Sequence, residues 1–201
     1  MASDGEMRER FCSILRETER ENIEYVIEDL TDMGFFEAPA SSQGHGAYAG
    51  GLVEHSLGVY DMAMEIREAT LKSRPDLAKY LTPEKIAISA LLHDVCKADR
   101  YRLAKRKRRN EVGLYEEQEM YEVHDEMFPC GHGEKSVIQL LRSGIDLEDD
   151  EIYAIRWHMG PWNLGKEDEK YYRQASKQTP LQAVIHAADT LASAVLERNR
   201  N

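Results

Sequence analysis

The chain has 201 residues, of which 42% are hydrophobic and 31% charged, a length that suits one domain with a sizeable core better than two. This composition excludes wholesale disorder, and no apolar run approaches the roughly 20 residues of a membrane-spanning helix. The net charge of −11 disfavours broad electrostatic binding to duplex DNA or to anionic membranes.

From Glu6 to Met33, the residues Phe11, Ile14, Leu15, Val26, Ile27 and Leu30 fall mostly at helical spacing in a Glu- and Arg-rich background, which predicts one long amphipathic helix or two with a bend. Gly34 fits a helix stop, and the Pro, Ser and Gly content of residues 35–49 reads as a loop. A helix beginning near Gly51 carries Leu52, His55, Val59, Met62 and Ile66, placing His55 on its buried stripe. After a connection over residues 73–81, Thr82 and Pro83 are a cap and a first helical residue. In the helix that follows, Ile86, Ala90, His93 and Lys97 share one side while Ala87, Leu91 and Asp94 form the adjacent row, so the His93–Asp94 pair points inward.

Between Asp99 and Phe128 the pattern turns polar around Asn110 and Gly113, as in an inserted β-hairpin. Further helices are expected to open at Gly131–Glu134, to run from Leu147 to Trp157 with Ile152 and Ile155 inward, and to start again at Thr179–Pro180. In this last helix Leu181, Val184, Ile185, Ala188, Ala192 and Val195 form one face. The expected fold class is all-α: one domain over residues 1–201, a bundle of about six or seven helices with an N-terminal helical segment (1–34) and a polar insertion (99–128). Cys12, Cys96 and Cys130 are odd in number and lack a CxxC pairing, and are read as free thiols. Met1 to Glu6 lack the basic start and apolar middle of a signal peptide, so a cytoplasmic location is expected.

The chemistry centres on His93 and Asp94, at the end of the apolar run Ala90-Leu91-Leu92. A neutral imidazole beside a carboxylate is costly there unless something pairs them, and a divalent metal ion is the expected partner. His55, His132, His158 and Asp189 complete an ordered set, each in or at the edge of a separate helical segment, as a site between the helices of a bundle requires. Four imidazoles and two carboxylates suffice for two metals sharing one carboxylate. Nitrogen and oxygen ligands without thiolates suit Fe, Mn, Ni, Co or Zn. The competing structural readings are a buried imidazole–carboxylate hydrogen bond for the pair, helix-end capping for His132 and His158, and an Asp189 satisfied by His186.

The ordered set, with its flanks GGLxEHS, ALLHDxxK, GHGEKSV, IRWHMG and HxADTLA, resembles the six-ligand form of the HD superfamily of metal-dependent phosphohydrolases over roughly residues 35–195. His45 and Tyr48 are similar to the approach to the first ligand in bacterial 3′-to-5′ exoribonucleases of this class. The resemblance implies an HD-domain helical bundle in which His55, His93, Asp94 and Asp189 hold a first metal. Asp94 would bridge to a second metal held by His132 and His158. It further implies a metal-activated hydroxide attacking a phosphate ester, in a nucleotide or short oligonucleotide. Asp94 and Lys97 are then the catalytic residues, Lys97, His45 and Tyr48 the substrate-binding ones, and His45 or His186 a candidate general acid.

Two other functions share these residues: a di-iron oxygenase of the same superfamily and a degenerate nucleotide-binding module. The basic run Arg102–Arg109 either tracks nucleic acid or is a solvated face. Trp157 and Trp162 either stack on a base or pack on the bundle.

Overall fold

The computed structural model describes residues 3–44, 46–109, 112–123, 128, 130–162 and 164–196. Its N-terminal region is two helices, α1 (Asp4–Glu17) and α2 (Ile23–Asp32). A capping box starts α1: the Glu6 amide donates to Ser3 Oγ at 3.3 Å, and the Ser3 amide donates to the Glu6 carboxylate at 2.7 Å. The break before α2 is held by Asn22, which takes a φ of 65° and donates from its side chain to the Gly144 carbonyl at 2.8 Å. Phe11 and Leu15 of α1 and Val26 and Leu30 of α2 are buried with Phe35 and Phe36, whose rings meet Phe11 at 5.2 and 5.5 Å. The segment after Gly34 is therefore core as well as connection, with Phe35, Phe36, Ala38 and Ala40 all buried.

Helix α3 (Gly51–Ser73) packs against α4 (Pro83–Leu92) and α8 (Leu181–Leu191), while α6 (Asp149–Arg156) packs against α5 (His132–Arg142) and α8. Val59, Ile86, Ala90, Ala154, Leu181 and Ile185 fill the space between them. Thr82 caps α4 as its residue type predicts, accepting from the Lys85 amide at 3.3 Å. No helix among the described residues is long and apolar enough to cross a membrane.

Three sequence expectations need correction. Eight α-helices occur among the described residues rather than six or seven, the additional one being α7 (Lys166–Gln178), which buries only Ala175. Helix α7 has no apolar stripe to read; acidic residues in its first turn and an Arg173–Glu169 pair at 2.6 Å suit it to a solvated helix. Helix α4 ends at Leu92, so His93 and Asp94 lie just beyond it, ahead of a 3₁₀ turn over Val95–Lys97. Val195 is 61% exposed, because the chain widens to a π-helical turn over Ala192–Leu196 and the wider winding rotates the face that α8 had buried.

The insertion is an antiparallel hairpin, β1 (Tyr101–Arg109) and β2 (Tyr115–Val123), paired from Tyr101↔Val123 to Arg109↔Tyr115. Its register sets Lys105 against Glu119, Lys107 against Glu117 and Arg108 against Glu116; Arg102 and Arg106 both bond Glu122. The basic run thus faces its own acidic complement, as cross-strand charge pairing favours.

Between α1 and α2, Arg20 reaches into the bundle, its guanidinium 2.6 Å from Glu84 and 2.8 Å from the fully buried Glu151, and it donates to the Asp146 carbonyl at 2.7 Å. This clamp joins the N-terminal pair to the segments that carry His93 and His158. Arg20→Ala strips Glu151 of its partner and should cost about 3–5 kcal/mol, read from the urea midpoint. The double variant Arg20→Met, Glu151→Leu should recover most of that loss.

Candidate metal centre

Asp94 is 1% exposed and its two oxygens face different groups. Oδ2 lies 2.6 Å from Lys97 Nζ, 3.3 Å from His93 Nε2 and 3.6 Å from His55 Nε2. Oδ1 lies 2.6 Å from His132 Nε2 and 3.4 Å from His158 Nε2. Asp189, from the last turn of α8, approaches His55 Nε2 at 3.3 Å. Its carboxylate also falls within one compact donor group with His93 and His158.

Backbone geometry supplies these directions. His93 caps the end of α4 with helical dihedrals and the backbone leaves the helix at Asp94, whose φ is −110°, while the His93 Nδ1–H donates to the Ala90 carbonyl at 2.7 Å. His158, just past the end of α6, repeats the arrangement with the Ile155 carbonyl at 2.7 Å. Each ring therefore turns Nε2 toward Asp94, and the His93 Nε2 also meets the His55 Nε2 at 3.3 Å. The His158 Nε2 atom is buried and makes no hydrogen bond among the described residues, a costly state for a ring nitrogen unless a cation takes the lone pair. The donor set around it, imidazole nitrogens and carboxylate oxygens, fits a divalent transition metal.

Helix α5 brings His132 in by close approach. A Cβ at Gly133 would fall 2.2 Å from the Arg156 carbonyl oxygen, so glycine lets α5 press against the end of α6. At Gly160, with φ +77°, the His186 ring occupies the place of a side chain and donates from Nδ1 to the His158 carbonyl at 2.6 Å. His186 thus braces the His158 backbone rather than satisfying Asp189.

The charges settle accordingly. Burial pushes the Asp94 carboxyl up, but the Lys97 ammonium and the imidazoles of His93 and His132 outweigh it and hold the group well below the usual carboxylate range. Asp189 is likewise lowered, against its burial, by His55, His93 and His158. His132 rises to about 9, Asp94 and the Cys96 side chain overcoming the effect of burial. Lys97 is raised by Asp94 despite its own burial.

The cluster opens on a cavity of about 390 Å³ lined by His55, Asp94, Lys97, His132 and Asp189, with Ser41, Arg100, Tyr101, Met159 and Ser193 around them. Arg100 and Tyr101 went unread in the sequence, although Arg100 follows Lys97 at a three-residue step and Tyr101 starts the hairpin. Tyr48 lies elsewhere, donating to Glu54 at 2.5 Å and lining a separate cavity with Asp4, Arg10 and Asp61. That cavity is larger, about 440 Å³, and no histidine lines it among the described residues. His45 and His124 lie outside the described residues. Trp157 is buried, packed edge-on against Tyr172 and under Arg156, and Trp162 is exposed. All three cysteines are free thiols.

The close approach at Gly133 is testable. Gly133→Ala should cost about 1–3 kcal/mol through overpacking and lower metal retained after dialysis, measured by elemental analysis. Gly5→Ala, where nothing lies within 4 Å of the added atom, should leave metal retention unchanged.

Comparison with known proteins bears on the same residues. The family model described as HD domain matches residues 52–194, a span containing all six residues of the cluster. No curated protein and no solved structure matches the chain. With its buried histidine–aspartate cluster and a match over most of its length, the chain belongs to the HD domain family, a superfamily of metal-dependent phosphohydrolases.

Proposed function

We propose that this protein hydrolyses a phosphate ester in a nucleotide or short oligonucleotide, with two divalent metal ions bridged by Asp94. The observation that carries the reading is the division of the Asp94 carboxylate, one oxygen facing His55 and His93 and the other facing His132 and His158. In this reading His55, His93, Asp94 and Asp189 hold one ion, and His132 and His158 hold the other with Asp94. Divalent metals held there would acidify a bound water and draw charge from phosphoryl oxygens.

The chain's own groups do the rest. Lys97 lines the cavity and keeps its charge, so it can stabilise negative charge that builds on the phosphoryl group in the transition state. Arg100 and Tyr101, at the mouth, offer a second cation and an aromatic face to the remainder of the substrate. A cavity of about 390 Å³ is at the smaller end of the range for small-molecule sites. The facing of β1 lysines and arginines by β2 glutamates supports a compact substrate over a long strand tracking the hairpin.

The test is metal content followed by kinetics. The protein should retain about two transition-metal equivalents; His132→Ala or His158→Ala should lose one, and Asp94→Ala both. Mn-loaded protein should cleave phosphate esters with oxygen excluded, and activity that demands iron and O₂ would overturn the hydrolase reading in favour of an oxygenase. Lys97→Ala should slow kcat by about 10²–10³ while keeping both metals, because its loss leaves Asp94 more available to them.

A further inference from the structure

We propose that Lys135 is a positioning residue for substrate binding: through Asp99 it sets the segment that carries Lys97, Arg100 and Tyr101 against the cavity, an inference that rests on the phosphohydrolase reading above. Lys135 lies in α5, outside the metal cluster, and is 3% exposed. A buried ammonium is costly unless paired, and among the described residues its ion pair is with Asp99, to which Nζ donates at 2.7 Å. The Asp99 side chain is 50% exposed, so the pair joins the interior of the bundle to the rim of the site. Apolar residues of similar volume often serve stability as well as a buried ion pair does; what the charge adds here is a fixed register between α5 and the chain entering the hairpin.

The backbone from Asp94 to Tyr101 determines what that register controls. The Lys97, Ala98 and Arg100 amides donate to the Asp94, Val95 and Lys97 carbonyls at 2.9, 3.1 and 3.1 Å. Bonds of this kind wind the chain at about three residues per turn, so side chains three apart fall in one row. Asp94, Lys97 and Arg100 form the row that lines the cavity, joined there by Tyr101. Cys96 and Asp99 form the row that faces α5, the Cys96 sulfur lying against the His132 ring and Asp99 against Lys135. The Cys96 amide also donates to Ser136 Oγ at 3.2 Å, so two adjacent residues of α5 hold both ends of the segment Cys96–Asp99. A rotation that freed Asp99 would carry Arg100, the next residue, away from the cavity, whereas Asp94 would keep Lys97 and the imidazoles as its own partners. The tether therefore acts on substrate contacts more than on the metal cluster.

Lys135→Met fills the space without the charge, and Asp99→Asn removes the carboxylate at a half-exposed position. In the manganese-loaded protein, both variants should speed hydrogen exchange of the Lys97 and Arg100 amides while keeping the wild-type manganese content. Both should raise KM for a nucleoside 5′-monophosphate about 10-fold with kcat little changed, roughly the worth of one charge-assisted hydrogen bond lost from substrate binding. Asp99→Glu, which keeps the carboxylate, should hold KM near the wild-type value, a rescue that a purely space-filling Lys135 would not give. Unchanged KM in both variants of an active wild type would overturn this inference alone, whatever the exchange rates, and so would a loss of manganese that accounts for the kinetic change. A wild type that turns over no phosphate ester overturns the hydrolase reading and this inference with it.

Discussion

Everything in this fold converges on one buried negative charge. The Asp94 carboxylate is almost wholly out of water, where an unpaired charge is prohibitively costly. It keeps its charge because Lys97 and imidazoles from α3, the end of α4, α5 and the end of α6 surround it. Four segments that are distant in sequence are thereby committed to one point. The local devices of the bundle, the early end of α4, the glycine contact between α5 and α6, and the His186 brace behind His158, all tighten that convergence.

Helix ends matter more than helix faces here. A histidine inside a helix leaves its ring to side-chain neighbours, whereas one just past the C-terminus can turn back and bond a carbonyl that the helix no longer uses. His93 and His158 do this, which ties ring orientation to backbone geometry. Asp189 and His55 lie within helices, and they contact each other instead.

The bundle was legible in the sequence wherever burial imposed a period. Leu52, Val59, Ile86, Ala90, Leu181 and Ile185 repeat at helical steps and fill the core, and Thr82–Pro83 marked a start that the structure bears out. Helix α7 was not legible, because burying only Ala175 leaves no apolar rhythm. The residues of the cluster stood out as polar groups in apolar contexts, and the structure brings all six together. Their division between the two Asp94 oxygens depends on histidines brought from α3, α5 and the end of α6, which no local pattern gives. Arg100 passed unnoticed since it disturbs no pattern; its significance comes from a shared cavity.

The hairpin introduces a different kind of dependence at the rim. Its strands are matched largely by opposite charges on exposed side chains, while the helices are held by apolar contact. Ionic strength acts unequally on the two: the Debye length falls from about 10 Å at 0.1 M salt to about 3 Å at 1 M, loosening surface pairs and leaving buried apolar packing untouched. Because Tyr101 belongs both to β1 and to the cavity wall, the salt of the surroundings reaches the entrance of the site through the hairpin without disturbing the bundle beneath it.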